Sequence, residues 1–443
     1  MAQKPKKKPA VKAFPQHVDV AIIGGGIIGC ATAYYLAKKG VDVAVFEKAH
    51  GVAQEQSGRN WGFVRQLGRD PEELPLMIQS NQLWQGLEKE LKSDLGWQQA
   101  GILGMTDKES AMPAYEQWRE VAKPFGVDTR ILNGNEVGDL LPGMNRDWVG
   151  GIYLANDGNA DPEKVTHAFA DAIRRKKGRV ITNCAVLGVE TKAGAICGIA
   201  TDRGFVTANT VVVAAGAWTR QVLSWLKIDL PQIRIRGTVG RTLPVSRVSD
   251  IAAWTPHLGF VQRKDGCFTL SGLDVSDFDI SLDALEYARY YLPTFMKHRD
   301  MVQLKFGHPF LLDLLGRIPG SSAMRDPLRR ARISEPMPSK RKLKRTLDEL
   351  RGLFDVTHDV ELKKAWAGHI EMTPDMLPVI DGDVGTSGLI VVTGLSGHGF
   401  GMGPGVGSVV AELANGDTPS VDLRPFRLSR FKEGDWSEPY NLI

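Results

Sequence analysis

Cysteine is scarce in this chain and follows no pattern. Its 443 residues hold four, Cys30, Cys184, Cys197 and Cys267, with no metal-ligand spacing and none after Cys267. That excludes a zinc ribbon or a disulfide scaffold and fits a reduced, intracellular protein. A charge excess is missing from the body of the chain. The net charge of +4 is outweighed by the five lysines Lys4, Lys6, Lys7, Lys8 and Lys12, with no acid before Asp19. Nothing in the whole-protein balance calls for nucleic acid. The tail lacks arginine and the apolar core of a signal peptide, so residues 1–16 read as a disordered basic tail. No Ser-His-Asp arrangement and no metal cluster is present. The expected location is cytoplasmic, with peripheral attachment at a membrane left open by the tail.

One stretch is free of charge for long enough to raise a membrane span, the 18 residues from Val20 to Ala37. Its glycines and the strand that follows it argue otherwise. A β-branched run ends at Gly24-Gly25-Gly26, and small and apolar residues then recur at helical spacing. Gly24 permits the turn out of the strand, Gly26 lets the backbone approach a pyrophosphate, and Gly29 lets helix and strand pack closely. Phosphate would face the free N–H groups at Ile27 and Ile28. Val41 to Phe46 reads as a second parallel strand, with Glu47 at its end, 18 positions past Gly29. A carboxylate there accepts hydrogen bonds from an adenosine ribose and repels a 2′-phosphate.

The polar loop after Glu47 carries Trp61 and Phe63, and loops at this place line a ligand crevice. Apolar residues recur at helical spacing from Glu72 to about Glu120, interrupted at Gly101 to Met105 by a short strand. Asp161-Pro162-Glu163 is a helix start, and Gly178 is its stop. Strands and turns alternate from Arg179 to Val213, followed by Ala214-Ala215-Gly216-Ala217-Trp218. Antiparallel strands are expected from Pro231 to Leu270, with a hairpin turn at Asp265-Gly266. Leu282 to Lys297 and Lys340 to Phe354 read as amphipathic helices. A second glycine-rich junction, Gly394 to Gly407, is expected to start a helix near Pro404.

With these motifs in order, and Thr373-Pro374-Asp375 before Gly397-His398-Gly399-Phe400, the sequence resembles the D-amino-acid oxidase family across residues 17 to 415. The resemblance implies an α/β fold: a Rossmann-type FAD-binding domain (17–80, 150–225 and 361–425) and an α+β substrate domain on an antiparallel sheet (81–149 and 226–360). Residues 426–443 are then a C-terminal tail. It implies FAD held by Gly24, Gly26, Ile27, Ile28, Gly29, Glu47 and Lys48, by Ser57, Gly58, Arg59, Asn60 and Trp61, by Val186, Ala215, Gly216 and Trp218, and by Gly397, His398, Gly399, Phe400 and Gly401. Members with covalent flavin carry a cysteine near the Thr373-Pro374-Asp375 segment, so the absence of one here implies noncovalent FAD.

The implied reaction is oxidation of an amino-acid C–N bond to a 2-oxo acid and ammonia, with electrons passed to oxygen and peroxide formed. Arg65, His398, Trp61 and Glu371 are the expected catalytic-site residues. Arg65 is assigned to the substrate carboxylate or its flavin-side surroundings, in competition with Arg69, Arg234, Arg236, Arg263 and Arg317, an exposed or phosphate-facing Arg65 being the other reading. The bulky Trp61-Gly62-Phe63 loop leans the substrate toward L-amino acids with large side chains. A D-amino-acid, glycine, sarcosine or other secondary-amine dehydrogenase passing electrons to quinone is the alternative, and a non-catalytic flavin-binding partner the alternative of another class. A homo-oligomer stays open.

Overall fold

The computed structural model describes residues 14–273, 276–297, 299, 302–305 and 332–440. Arg317 and most of the basic tail lie outside them. Of that tail, Phe14 is already part of the fold, its ring edge-on to Phe46 at 6.4 Å.

Among the described residues two large sheets organise the chain, beside a two-strand pairing of Phe63–Val64 with Gly158–Asn159. The first has eight strands and runs Val379–Asp381, Leu389–Thr393, Gly204–Val213, His17–Ile23, Val43–Phe46, Arg179–Ile181. Its middle is parallel, with Val20 to Ile23 in register with both Val43 to Phe46 and Thr210 to Val213. Ala195–Thr201 and Val186–Lys192 hang antiparallel from Gly204–Val213. The first strand is buried on both faces, Val20 and Ile22 packing into one core and Ala21 and Ile23 into another. This is why it reads as an uncharged run: a parallel strand covered on both sides has no polar face. The run is a strand, a turn and the helix Ile27–Lys38, not a membrane span.

Ten strands make the second, mainly antiparallel sheet among the described residues. Two strands placed by sequence on the nucleotide side belong here instead. Gly150–Leu154 pairs with Ile102–Thr106 and Arg130–Asn133, and Leu362–Met372 pairs along its length with Ile233–Pro244. The expected boundaries at 150 and 361 therefore cut through the second sheet. The single helix expected over Leu282 to Lys297 is two, Leu282–Glu286 and Ala288–Lys297. Between them Tyr287 turns inward, buried, with its hydroxyl on Asp229.

The helix expected near Pro404 starts at Gly399 and runs to Asn415. Proline normally breaks such a helix by removing an N–H and crowding the preceding turn. Ser80 and Trp84, on the helix Leu74–Leu91, repair the gap. Ser80 Oγ accepts from the Gly405 N–H (3.1 Å) and donates to the Gly401 carbonyl (2.7 Å), which also accepts from Trp84 Nε1 (2.8 Å). The same helix lies close on Ile27–Lys38: a Cβ at Gly407 would stand 2.4 Å from that of Ala31.

The C-terminal segment is not a free tail. Phe426 and Phe431 are buried, and Arg430 meets Asp375 through two hydrogen bonds of 2.7 and 3.0 Å, both side chains 2% exposed. Arg430 also donates to the Leu377 and Arg427 carbonyls, each at 3.0 Å. The acid of the Thr373-Pro374-Asp375 motif thus anchors a backbone turn at Met376, whose φ is +60°. Removing one partner of such a pair leaves a buried, unpaired charge. Arg430→Ala should cost about 3–5 kcal/mol in urea unfolding. A loss below about 1 kcal/mol would put the segment outside the cooperative core.

Candidate functional site

A cavity of about 640 Å³ opens where the two sheets meet. The nucleotide motif supplies one end, from Gly24 to Ile28. Gly24 holds φ +114°, and a Cβ there would stand 2.3 Å from the Ala214 carbonyl oxygen. Strand ends therefore touch backbone to backbone, which is what brings Ala215 and Gly216 to the same wall. The helix Ile27–Lys38 starts at Gly26 and Gly399–Asn415 at His398, and neither start is capped by its own side chain. Two positive helix ends face one cavity.

Glu47 follows the strand Val43–Phe46 and borders the cavity. Its carboxylate accepts from the Gly25 N–H at 2.6 Å and the Ala49 N–H at 2.8 Å, with acceptor capacity left on each oxygen. Burial pushes its carboxyl up, against the pull of those N–H groups. Ser57 Oγ takes the Ile27 N–H at 2.8 Å, tying the following loop to the helix start. Lys48 lies over the Trp218 ring at 3.6 Å, and burial pulls its ammonium down to about 8. Residues 332–334 brace this loop from outside, where Arg332 donates to the Lys48 carbonyl (2.8 Å) and the Ser334 N–H to Glu55 (2.7 Å), and the Ser339 N–H ties the same segment to Thr238 on the strand Ile233–Pro244 (3.1 Å).

Most of the sequence-assigned residues border the cavity: Gly24, Gly26, Ile27, Ile28, Glu47, Lys48, Ser57, Arg59, Asn60, Trp61, Val186, Ala215, Gly216, Trp218, Gly397, His398, Gly399, Phe400, Arg65 and Glu371. Three do not. Gly29 and Gly58 serve packing, because a Cβ would lie 2.1 Å from the Gly24 and Ala53 carbonyl oxygens respectively. Gly401 faces Ser80 and Trp84. The cradle of glycine backbone, the acid at the strand end and the two helix starts fit FAD, although the Ile27 N–H expected to be free for phosphate is taken by Ser57 Oγ. None of the four cysteines borders the cavity.

Arg65 and Arg69 lie together at another wall of the cavity, beside Trp61, Phe63 and Trp254. Trp61 stacks on Phe63, centroids 4.8 Å apart, and the Arg65 guanidinium lies 5.7 Å from the Trp254 ring centre. Arg65 donates to the Leu67 carbonyl at 2.5 Å, and Arg69 Nε donates to the Arg65 carbonyl at 3.0 Å. Burial, with Arg69 beside it, brings the Arg65 guanidinium down to about 9. Arg69 Nη1 is buried without a hydrogen bond among the described residues. Of the rival arginines, Arg263 is a clamp on the Trp61, Ala160 and Asn159 oxygens, Arg236 is paired with Asp279 at 3.2 Å, and Arg234 does not border the cavity.

Glu73 was not singled out by sequence. It precedes the helix Leu74–Leu91, where an acid reads as a solvated cap, yet it is fully buried and does not cap that helix. It faces His398 Nδ1 at 2.9 Å and Arg69 Nη1 at 3.9 Å instead. Burial opposes its ionisation, but contact with His398 and the two arginines outweighs this and holds its carboxyl low. Burial and Arg69 bring His398 down to about 4, so the imidazole is neutral and donates to the carboxylate. Only the pairing with Leu74-Pro75, a helix start, hinted that Glu73 stands at a helix end.

Two outcomes follow. Glu47→Gln should weaken FAD binding by roughly 1.5–3 kcal/mol in fluorescence titration of apoprotein, through loss of charge-assisted hydrogen bonds; unchanged affinity would sink the ribose assignment. Glu73→Ala should destabilise by about 3–5 kcal/mol, because it strands Arg69, whereas His398→Ala should cost about 1–3 kcal/mol. The reverse order in urea unfolding would dissolve the network.

No helix among the described residues is long and apolar enough to cross a membrane. The family model for FAD dependent oxidoreductase matches residues 19–413. Monomeric sarcosine oxidase of Bacillus sp. (strain B-0618) is 26% identical over 424 residues, 94% of this chain and 96% of that protein. Mouse mitochondrial sarcosine dehydrogenase is 28% identical over 227 residues, half of this chain (50%) but 25% of that protein. The match to the sarcosine oxidase beta subunit of Rhizobium meliloti (strain 1021), at 31% identity over 48% of this chain, covers 53% of that subunit. Among solved structures, L-amino acid deaminase from Proteus myxofaciens in complex with anthranilate superposes with a TM-score of 0.89 at 27% identity, covering 95% of this chain and 94% of that one. The matched span runs from the first strand through the glycine-rich helix that together frame the cavity, and the chain belongs to the FAD dependent oxidoreductase family.

Proposed function

We propose that this chain oxidises the C–N bond of an α-amino acid with noncovalently bound FAD, giving a 2-oxo acid and ammonia. The observation that carries the reading is the pair Arg65 and Arg69 in an aromatic lobe of the cofactor cavity. An amino acid entering such a lobe loses the hydration of its carboxylate, and a guanidinium fork compensates with parallel hydrogen bonds. Arg69 Nη1 supports this, as a buried donor that makes no hydrogen bond among the described residues and has only the more distant Glu73 carboxylate, at 3.9 Å, beside it. Trp61, Phe63 and Trp254 form apolar walls for a large side chain and exclude water around it. His398, neutral and fixed by Glu73, holds the start of the Gly399–Asn415 helix in place.

FAD supplies the acceptor for the hydride that leaves the α-carbon with the C–H electron pair. The resulting imine is hydrolysed to the 2-oxo acid and ammonia. The chain's own contribution is orientation, since no nucleophile or metal is needed for this chemistry. We read the electron acceptor as oxygen, with peroxide as its product. The fold likeness to an L-amino acid deaminase and the aromatic lobe support L-amino acids with large side chains. The sarcosine oxidase relatives support a second reading, oxidation of a secondary amine such as sarcosine.

An aerobic peroxide screen of both enantiomers, glycine and sarcosine tests the substrate, and anaerobic bleaching of the flavin tests the amine chemistry without regard to the acceptor. Bleaching by none of them would overturn the reading. Arg65→Ala should lower kcat/KM by about 10- to 100-fold, or roughly 1.5–3 kcal/mol, and amino-acid amides should lose less than free acids. Equal losses for both, with FAD still bound, would remove the carboxylate role. Acid denaturation should release intact FAD into the supernatant. Flavin colour retained by the precipitate would contradict noncovalent binding.

A further inference from the structure

Glu371 lies near the end of the strand Leu362–Met372, opposite Arg234 in the register, and is 4% exposed. It nevertheless borders the cavity, together with Ile370, Met372, Met376, Val392 and Leu395. This part of the wall is apolar. One side of the carboxyl is held by backbone, including the N–H of Leu395. The other oxygen, Oε2, is buried and has no hydrogen-bond partner among the described residues. Arg234 makes no ion pair with it there.

A carboxylate with one bare oxygen in such surroundings is costly, and the neutral acid is the form that burial favours. Burial pushes the Glu371 carboxyl up to about 7. The neutral acid places a hydroxyl on Oε2, which is a donor and requires an acceptor. An ammonium group is a donor itself and would demand the ionised acid. The substrate carboxylate already has Arg65 and Arg69. The Leu395 N–H that fixes Glu371 belongs to the turn through Ser396 (φ +46°) and Gly397 (φ +88°), which feeds the start of the Gly399–Asn415 helix. Glu371 and that helix start therefore share one wall.

We propose that Glu371 is a cofactor-contacting residue, whose carboxyl donates a hydrogen bond from Oε2 to a carbonyl oxygen at the pyrimidine edge of the flavin ring and stabilises the ring when it gains negative charge. The assignment rests on FAD occupying the cavity, but not on the identity of the substrate. Glu371→Gln keeps a donor of the same shape, and Glu371→Leu keeps volume without a donor. The FAD-loaded proteins are compared at pH 6 without substrate, by affinity for sulfite, which adds to the oxidised ring and leaves it negatively charged, and by two-electron potential.

Glu371→Leu should bind sulfite about 10-fold more weakly, as expected for one lost hydrogen bond, and should have a lower potential, while Glu371→Gln stays within about 3-fold of wild type. A leucine variant that loads FAD and keeps wild-type sulfite affinity and potential, with only its amino-acid KM raised, overturns the assignment in favour of a substrate contact. A glutamine variant as impaired as the leucine variant overturns it in favour of an ionised acceptor. Should the leucine variant fail to fold, the reduced-minus-oxidised infrared difference spectrum of wild type decides. A protonated-carboxyl band that shifts on reduction and is lost in Glu371→Gln supports the contact, and no such band overturns it. Folded wild-type protein that takes up no FAD overturns both this assignment and the FAD reading beneath it.

Discussion

Close approach of backbone to backbone is the constraint on which the rest of this molecule depends. Gly24 lies against the Ala214 carbonyl and Gly29 against that of Gly24, with no room for a Cβ at either position. Gly407 does the same for the Gly399–Asn415 helix against Ile27–Lys38. Because these contacts leave no slack, the two helices cannot slide past each other by a turn. Both of their starts, at Gly26 and His398, are held at one cavity, although more than 370 residues of chain separate them. Ser80 and Trp84 preserve this arrangement across Pro404 by supplying the hydrogen bonds that the helix cannot make there.

The substrate lobe is governed by a different balance. Burying Arg69 and Glu73 beside the half-buried Arg65 carries a desolvation penalty of several kcal/mol per buried ion. Such a group is weak evidence for stability and stronger evidence for a site. The molecule keeps the balance by placing Glu73 between His398 and Arg69, and Asp157 against the Gln66 and Leu67 N–H groups that follow Arg65. Arg263 has the opposite character: its donors go to the oxygens of Trp61, Ala160, Asn159 and Thr269, so it shapes the aromatic wall.

The nucleotide half was legible because its rules are local. A β-branched run, glycines at fixed offsets and an acid at the next strand end determine one another over some thirty residues, and in the structure Gly24, Gly26 and Glu47 border one cavity. What was not legible depends on partners far away in the chain. Nothing near Leu362 tells that the strand joins Ile233–Pro244 and not the nucleotide sheet, because its partner lies more than a hundred residues back in the chain. Glu73 looks like a helix cap until His398 is brought to it from 325 residues downstream. Arg430 sits in a charged C-terminal stretch and gives no sign that Asp375 needs it. The break at Tyr287 is hidden for the same reason, since helical periodicity continues through it while Asp229 draws the ring inward.

The Asp375–Arg430 pair also has a meaning in time. The parallel sheet takes one central strand from residues 17–23 and another from 389–393, and its supporting turn is closed by an arginine at position 430. A ribosome delivers these pieces in that order, so the first strand finds its second neighbour only at Gly204–Val213, and Leu389–Thr393 and the turn closed by Arg430 are added later still. Non-local pairings of this kind fold slowly and expose aggregation-prone strands meanwhile. The turn at Met376 that supports the sheet therefore closes only once Arg430 has emerged, 55 residues after the acid that it meets.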